Sequence, residues 1–185
     1  MNFYLHPSVI CETNKIGENT RIWTFTHIQN EVEIGRDVNI GGYCFIESGS
    51  RIGDGSTIKN GVSIWRNIVI GNNCFIGPNV VFTNDLFPRS VLKKNIDQLL
   101  TTYVEDGATI GANATINPGL KIGLNSFVGS GSVVVRDVKN YSKVVGNPAK
   151  EIGWICKCSG KIKNLTCQEC QKKYIENNFG LSEII

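Results

Sequence analysis

Four cysteines near the end of the chain fall into two pairs, Cys156-x-Cys158 and Cys167-x-x-Cys170. Thiolates are zinc ligands, and four at such spacing suit a tetrahedral site. Four protein ligands leave no coordination position open, so zinc held there is structural, not catalytic. The remaining cysteines are Cys11, Cys44 and Cys74. The last two read as core, since free cysteine packs as a small hydrophobe. Histidine is scarce: only His6 and His27 are present. A hydratase site of the His₃-zinc kind is excluded on that count. A histidine general base, the usual proton acceptor near pH 7, has only those two candidates.

The elements that must position such groups are announced by a strict period. From Ile10 to Phe82 every sixth residue is large and apolar: Ile10, Ile16, Ile22, Ile28, Ile34, Ile40, Ile46, Ile52, Ile58, Ile64, Ile70, Ile76, Phe82. The series resumes at Val104, Ile110, Ile116, Ile122, Val128 and Val134. Two residues ahead of each lies a mostly small or β-branched partner, such as Val38, Cys44, Ser56 or Val62. This period is neither helical nor simply alternating. It predicts an all-β fold, a parallel β-helix of hexapeptide repeats in which each unit is a short strand and a corner.

Three hexads per turn place residues eighteen apart in one column. Column one holds Ile16, Ile34, Ile52 and Ile70. Column two holds Ile22, Ile40, Ile58 and Ile76. Column three holds Ile10, Ile28, Ile46, Ile64 and Phe82. Glycine follows the apolar residue in column one (Gly17, Gly35, Gly53, Gly71) and often in column two (Gly41, Gly77, Gly111, Gly129), as a tight corner favours. Column three continues instead with Cys11, Gln29, Glu47, Trp65, Thr83 and Asn117. A purely structural corner has no evident reason to abandon glycine, so this edge is the expected binding edge.

Between Phe82 and Val104 the chain carries sixteen residues more than an unbroken repeat needs. The excess predicts a loop extruded over about 85–103, containing Pro88, Arg89 and Lys93-Lys94. Long loops on rigid scaffolds are commonly functional. The repeat fades after Val138, giving a rod over 1–150 and a tail over 151–185 that could form a zinc-ribbon-like hairpin. Since solenoid repeats touch only their neighbours, the tail is expected to be dispensable, and truncation after Gly153 to leave the rod folded. The net charge of +3 comes with no basic run longer than two residues, which argues against nucleic acid as a partner. No segment reaches membrane-spanning length, and residues 1–10 lack a signal-peptide core. With its free thiols, the protein is expected to be cytoplasmic.

The hexads, the extruded loop and the string Gly146-Asn147-Pro148-Ala149-Lys150 resemble the left-handed β-helix acyltransferases over about residues 10–150. Within them, Phe82-Thr83-Asn84-Asp85-Leu86-Phe87-Pro88-Arg89-Ser90, Ile22-Trp23 and Gly153-Trp154 are similar to bacterial N-acetyltransferases of 3-amino nucleotide sugars. The resemblance implies acetyl-CoA as co-substrate, a nucleotide-sugar acceptor, and a homotrimer with active sites between subunits. It also implies a place in lipopolysaccharide O-antigen or S-layer glycan synthesis. It puts backbone amides around Ala112 and Ser130 along the pantetheine arm, and Arg136 and Lys150 at the coenzyme phosphates.

The implied reaction is attack of a sugar amine on a thioester. His27 falls three coils from the loop, which disfavours it as the base and leaves substrate or neighbour binding, or a bland surface role. Asn84 stands where the loop leaves the coil; its amide could aim the amine or donate to the oxyanion. Asp85 could orient the amine or take a proton. Without a nearby histidine, the coenzyme thiolate can take it, a thiol pKa of about 8.5 making this feasible. For the acceptor, Glu47, Trp65 and Arg66 lie within two coils of Asn84, Trp65 offering a stacking face. Arg66 and Arg89 could grip the pyrophosphate bidentately. A dTDP-linked 3-amino-3,6-dideoxyhexose, gluco or galacto, is expected over a UDP-linked 3-amino uronate, whose carboxylate would meet Glu47 and Asp85. An O-acetyltransferase, which wants a histidine base near the loop, is the alternative within enzymes; a structural solenoid is the alternative outside them.

Overall fold

A computed structural model describes residues 2–184, and among them the chain is a β-solenoid. Its strands are mostly two residues long, as in His27–Ile28, Phe45–Ile46, Ser63–Ile64 and Val81–Phe82. They stack into parallel sheets of seven and five strands, with an eleven-stranded sheet that the tail extends. The columns read from sequence are these sheets: Ile34 pairs Ile52 and then Ile70, Ile22 pairs Ile40 and then Ile58, and Ile28 pairs Ile46 and then Ile64. The inner Ile and the residue two before it are both sealed from water, as in Val62 with Ile64 and Val80 with Phe82. Each such aliphatic side chain contributes roughly 1.5–3 kcal/mol. Among the described residues, no helix is long and apolar enough to cross a membrane.

The N-terminal coil departs from the pattern. Cys11, not Ile10, pairs Ile28, while Ile10 pairs His27 and points outward at 60% exposure. Val9 and Cys11 take the two inner positions, one residue out of step with the hexads that follow. A six-residue count carried back to Ile10 cannot detect that shortened unit.

The corner glycines are present for a reason other than turn geometry. The left-handed residue of each corner is the third after the inner one: Asn67, Asn73 and Asn79 have φ of 67°, 54° and 57°. Asparagine tolerates that region. Glycine directly after the inner residue instead admits the next coil. A Cβ on Gly111 would lie 2.5 Å from the backbone nitrogen of Ser130. At the column-three edge, side chains replace glycine and bond the same amides. Gln29 Oε1 accepts from the Ser48 amide (3.1 Å), and Glu47 Oε2 from that of Arg66 (2.7 Å). A polar corner therefore does have a structural use, and polarity alone does not mark a binding edge.

The tail is not detached. The strand Lys150–Ile155 runs antiparallel to Ser142–Val145 at the rod's end and then to Lys161–Lys163, which pairs Thr166–Cys167. The boundary at 150/151 thus falls inside a strand. Tyr141, Cys156, Ile162, Cys167, Tyr174 and Leu181 form a second small core against Leu124 and Trp154. Gly180 bridges back to Asn140 of the last coil. Truncation after Gly153 would strip the cover from Tyr141 and Leu124 at the rod's last coil. The nearest-neighbour rule holds, but the tail is itself the last neighbour.

Candidate functional site

Glu47, Trp65 and Arg66 gather at the corner after the seven-stranded sheet. Glu47, Trp65 and Thr83 occupy equivalent positions on successive coils, and hydrogen bonds link Glu47, Arg66 and Asn84 across them. Glu47 receives the Arg66 amide, and the Arg66 carbonyl receives Asn84 Nδ2 at 3.4 Å. That bond tethers the Asn84 amide through Nδ2; among the described residues, no hydrogen bond reaches Oδ1. The Asn84 carbonyl accepts from the Leu100 amide (3.0 Å), pinning the loop where it leaves and rejoins the rod.

Asp85 is engaged elsewhere. It pairs with Lys94 and accepts from the Phe87 amide (2.9 Å), closing the first turn of the loop. The Lys94 ammonium holds its carboxyl below the usual carboxylate range. Asp85 is therefore tied into the first turn of the loop by both partners. Arg89 lies on the exposed loop with Nη1 bonded to the Pro88 carbonyl (3.2 Å), and no contact among the described residues brings it to Trp65 or Arg66.

His27 is three strand pairings from the loop, through Phe45 and Ser63 to Val81. Its Nε2 is held by Glu12 Oε1 at 2.7 Å, and this contact keeps the Glu12 carboxyl low. Within the chain, His27 is thus separated from the Asn84 corner and engaged by Glu12. The link missed from sequence is Phe45, whose ring lies 5.5 Å from that of His27 and 5.4 Å from Trp65. Eighteen-residue stacking places Phe45 over His27; the sideways turn of Trp65 toward it is a matter of packing. Together the three make an aromatic strip leading to the Asn84 corner.

Ala112 and Ser130 stack on the opposite edge of the same sheet, each directly after a glycine. Among the described residues neither amide has an acceptor. Ser130 is exposed and Ala112 half-buried, so both N–H groups can meet a ligand carbonyl. At the rod's end a cavity of about 320 Å³ brings Arg136 and Lys150 together with Lys139, Pro148 and Glu151. Its wall includes Pro148, whose peptide bond to Asn147 is cis.

The tail cysteines meet. The sulfurs of Cys156, Cys158, Cys167 and Cys170 lie within 4.8 Å of one another, the pairs 156–170 and 158–167 each at 3.5 Å. A tetrahedral site with metal–sulfur bonds of about 2.3 Å spaces its sulfurs about 3.8 Å apart, so the set fits a metal. The Cys170 amide, and in smaller share that of Glu169, draw the Cys167 thiol down to about 6 against desolvation. Buried Tyr174 donates its hydroxyl to Cys156 Sγ at 2.9 Å.

Residues 15–48, 49–84 and 101–136 match the bacterial transferase hexapeptide family (six repeats), with the extruded loop in the gap. The chain is 47% identical over 175 residues to the dTDP-3-amino-3,6-dideoxy-α-D-galactopyranose 3-N-acetyltransferase of Aneurinibacillus thermoaerophilus, covering 92% of this chain and 90% of that one. Among solved structures, PerB from Caulobacter crescentus in complex with CoA and GDP-perosamine is similar in fold (TM-score 0.56, 24% identity, 82% of this chain and 58% of that one). So is the acetyltransferase domain of PglB from Neisseria gonorrhoeae in complex with acetyl coenzyme A (TM-score 0.52, 19% identity, 80% of this chain and 54% of that one). This chain thus spans just over half the length of those two structures.

Proposed function

Because the chain belongs to the bacterial transferase hexapeptide family, we propose that it is an acetyl-CoA-dependent N-acetyltransferase acting on the 3-amino group of dTDP-3-amino-3,6-dideoxygalactose. The observation that carries this reading is the near-full-length identity to the Aneurinibacillus enzyme, which spans rod, loop and tail alike. The chemistry available at the Asn84 corner agrees with it. The neutral amine attacks the thioester carbonyl, a C–N bond forms, the C–S bond breaks, and the departing thiolate takes the amine proton. Asn84 Oδ1, which no hydrogen bond among the described residues reaches, accepts an N–H of the amine and aims its lone pair at the carbonyl. Nδ2 keeps a second N–H beyond its bond to the Arg66 carbonyl, so donation to the oxyanion stays open to the same side chain.

Glu47, Trp65 and Arg66 are assigned to the acceptor, with His27 at the far end of the aromatic strip and Arg89 reaching in from the loop. Lys94 neutralises Asp85, which leaves Glu47 as the carboxylate disfavouring a uronate. On a panel of dTDP- and UDP-linked 3-amino sugars, kcat/KM on the dTDP-galacto substrate is expected to exceed that on the UDP-amino-uronate at least about tenfold, which is about 1.4 kcal/mol of transition-state binding. A preference of that size for the uronate would reverse the acceptor choice while leaving the acetyl transfer intact.

The open amides of Ala112 and Ser130 are assigned to the pantetheine arm, and Arg136 and Lys150 to the coenzyme phosphates. These groups and the Asn84 corner stand on different edges of one narrow prism, so one chain cannot present both to a single molecule. Two chains side by side can, which supports a homotrimer with sites between subunits. Light scattering is expected to give three times the chain mass of 20.4 kDa; a monomer at assay concentration would contradict it.

The four cysteines are assigned as ligands of a structural zinc, which when bound would cross-link the two turns of the tail. Free thiols in the core at Cys44 and Cys74 suit the reducing cytoplasm, the location assigned here. The product would feed assembly of a surface glycan such as O-antigen or an S-layer glycan.

A further inference from the structure

The cysteine cluster and the Arg136–Lys150 cleft are joined by one strand. Lys150 and Glu151, at the start of Lys150–Ile155, line the cleft, and Cys156, the first cluster residue, follows its end. A six-residue strand spans roughly 20 Å. The strand lies on the rod's last coil through Ser142↔Trp154, Lys143↔Gly153, Val144↔Glu151 and Val145↔Lys150. Ser142 Oγ donates to Glu151 Oε2 at 2.9 Å, and the Ile155 amide to the Tyr141 carbonyl at 2.8 Å. At the other end Tyr174 joins both parts: its hydroxyl meets Cys156 Sγ, and its ring packs on Tyr141 at 5.1 Å.

Beyond that strand the tail has little apolar core of its own. The tail's core has six buried residues, one of which, Tyr141, belongs to the rod. A unit of this size seldom folds without a disulfide, a metal or a partner. Cys156 and Cys158 lie in the segment before the strand Lys161–Lys163, and Cys167 and Cys170 at the end of the strand Thr166–Cys167 and in the turn after it. A metal joining them converts a marginal antiparallel extension into a closed one, and binding free energy there becomes folding free energy.

We propose that the metal-bound cysteine cluster is the clasp of the rod's end cap, and that its occupancy sets coenzyme affinity at the Arg136–Lys150 cleft. The proposal rests on the metal and coenzyme assignments above. Metal loss frees the strand from its distal end, and Lys150 and Glu151 lose their fixed place beside Arg136. Because solenoid contacts are local, the Asn84 corner, built on earlier coils, does not feel the change.

The test uses the full chain, as purified, treated with a zinc chelator, and as the double variant Cys158→Ser with Cys170→Ser, both exposed positions. Metal content, amide hydrogen exchange, and the Kd values for acetyl-CoA and for the dTDP-sugar are measured on each. With metal gone, amides in 142–155 are expected to exchange at least about tenfold faster, while those in 22–82 hold their rates as the internal reference. Acetyl-CoA should bind at least about tenfold more weakly, and the dTDP-sugar within about twofold of its original Kd. Less than about a tenth of an equivalent of metal in the gently purified protein would sink the metal assignment itself. Metal present and then removed, with exchange and coenzyme affinity unchanged, would overturn the clasp alone.

Discussion

Asn84→Ala is expected to lower kcat by about 10²-fold or more, the scale of losing one group that acts only on the reacting atoms. Its effect on KM for either substrate should be small, because the side chain touches the amine and little else of the sugar. Among the described residues no hydrogen bond reaches Asn84 Oδ1, and the tether from Nδ2 to the Arg66 carbonyl at 3.4 Å is all that the free chain asks of the amide. The fold should therefore tolerate alanine, and the melting midpoint should move little. His27→Ala serves as the comparison. Its imidazole contacts Glu12 and Phe45, far from the loop, so its loss should act mainly through KM. Abolished turnover in His27→Ala with turnover retained in Asn84→Ala would reverse the two roles and reopen the O-acetyltransferase reading, which needs a histidine base.

Phe82→Ala carries the largest expected effect on stability. Phe82 is fully buried in column three, ends the last regular strand before the loop, and stacks beneath Ile116. Removing a buried aromatic ring costs about 3–5 kcal/mol, transfer and cavity together. For a chain of this length that lowers the melting midpoint by about 6–20 °C. The cavity would open directly under Thr83 and Asn84, so turnover should fall as well, unlike the case of a core site remote from the loop such as Ile40. A midpoint within about 2 °C of the parent protein would mean that the coil closes over the gap, against the close packing that such interiors show.

The architecture was legible in the sequence because a solenoid repeats one local rule. A hexad has a single inward residue, so the apolar period of six names the column members without knowledge of any long-range contact. The same rule located the loop by its surplus length and put Glu47, Trp65 and Arg66 within two coils of Asn84, since stacking at eighteen converts sequence distance into height along the rod. The cysteine spacing likewise foretold that four thiols could meet. Tertiary structure decided what each side chain does once placed. Glu47 caps an amide of the next coil, a purpose visible only when two coils are set face to face. Asp85 is held by Lys94, nine residues away across an irregular loop that no period describes. Ile10 points outward because the first unit is a residue short, and an uninterrupted run of isoleucines conceals that slip. The tail proved to be the rod's cap, because the burial of Tyr141 and Leu124 depends on segments whose pairing has no repeat to announce it.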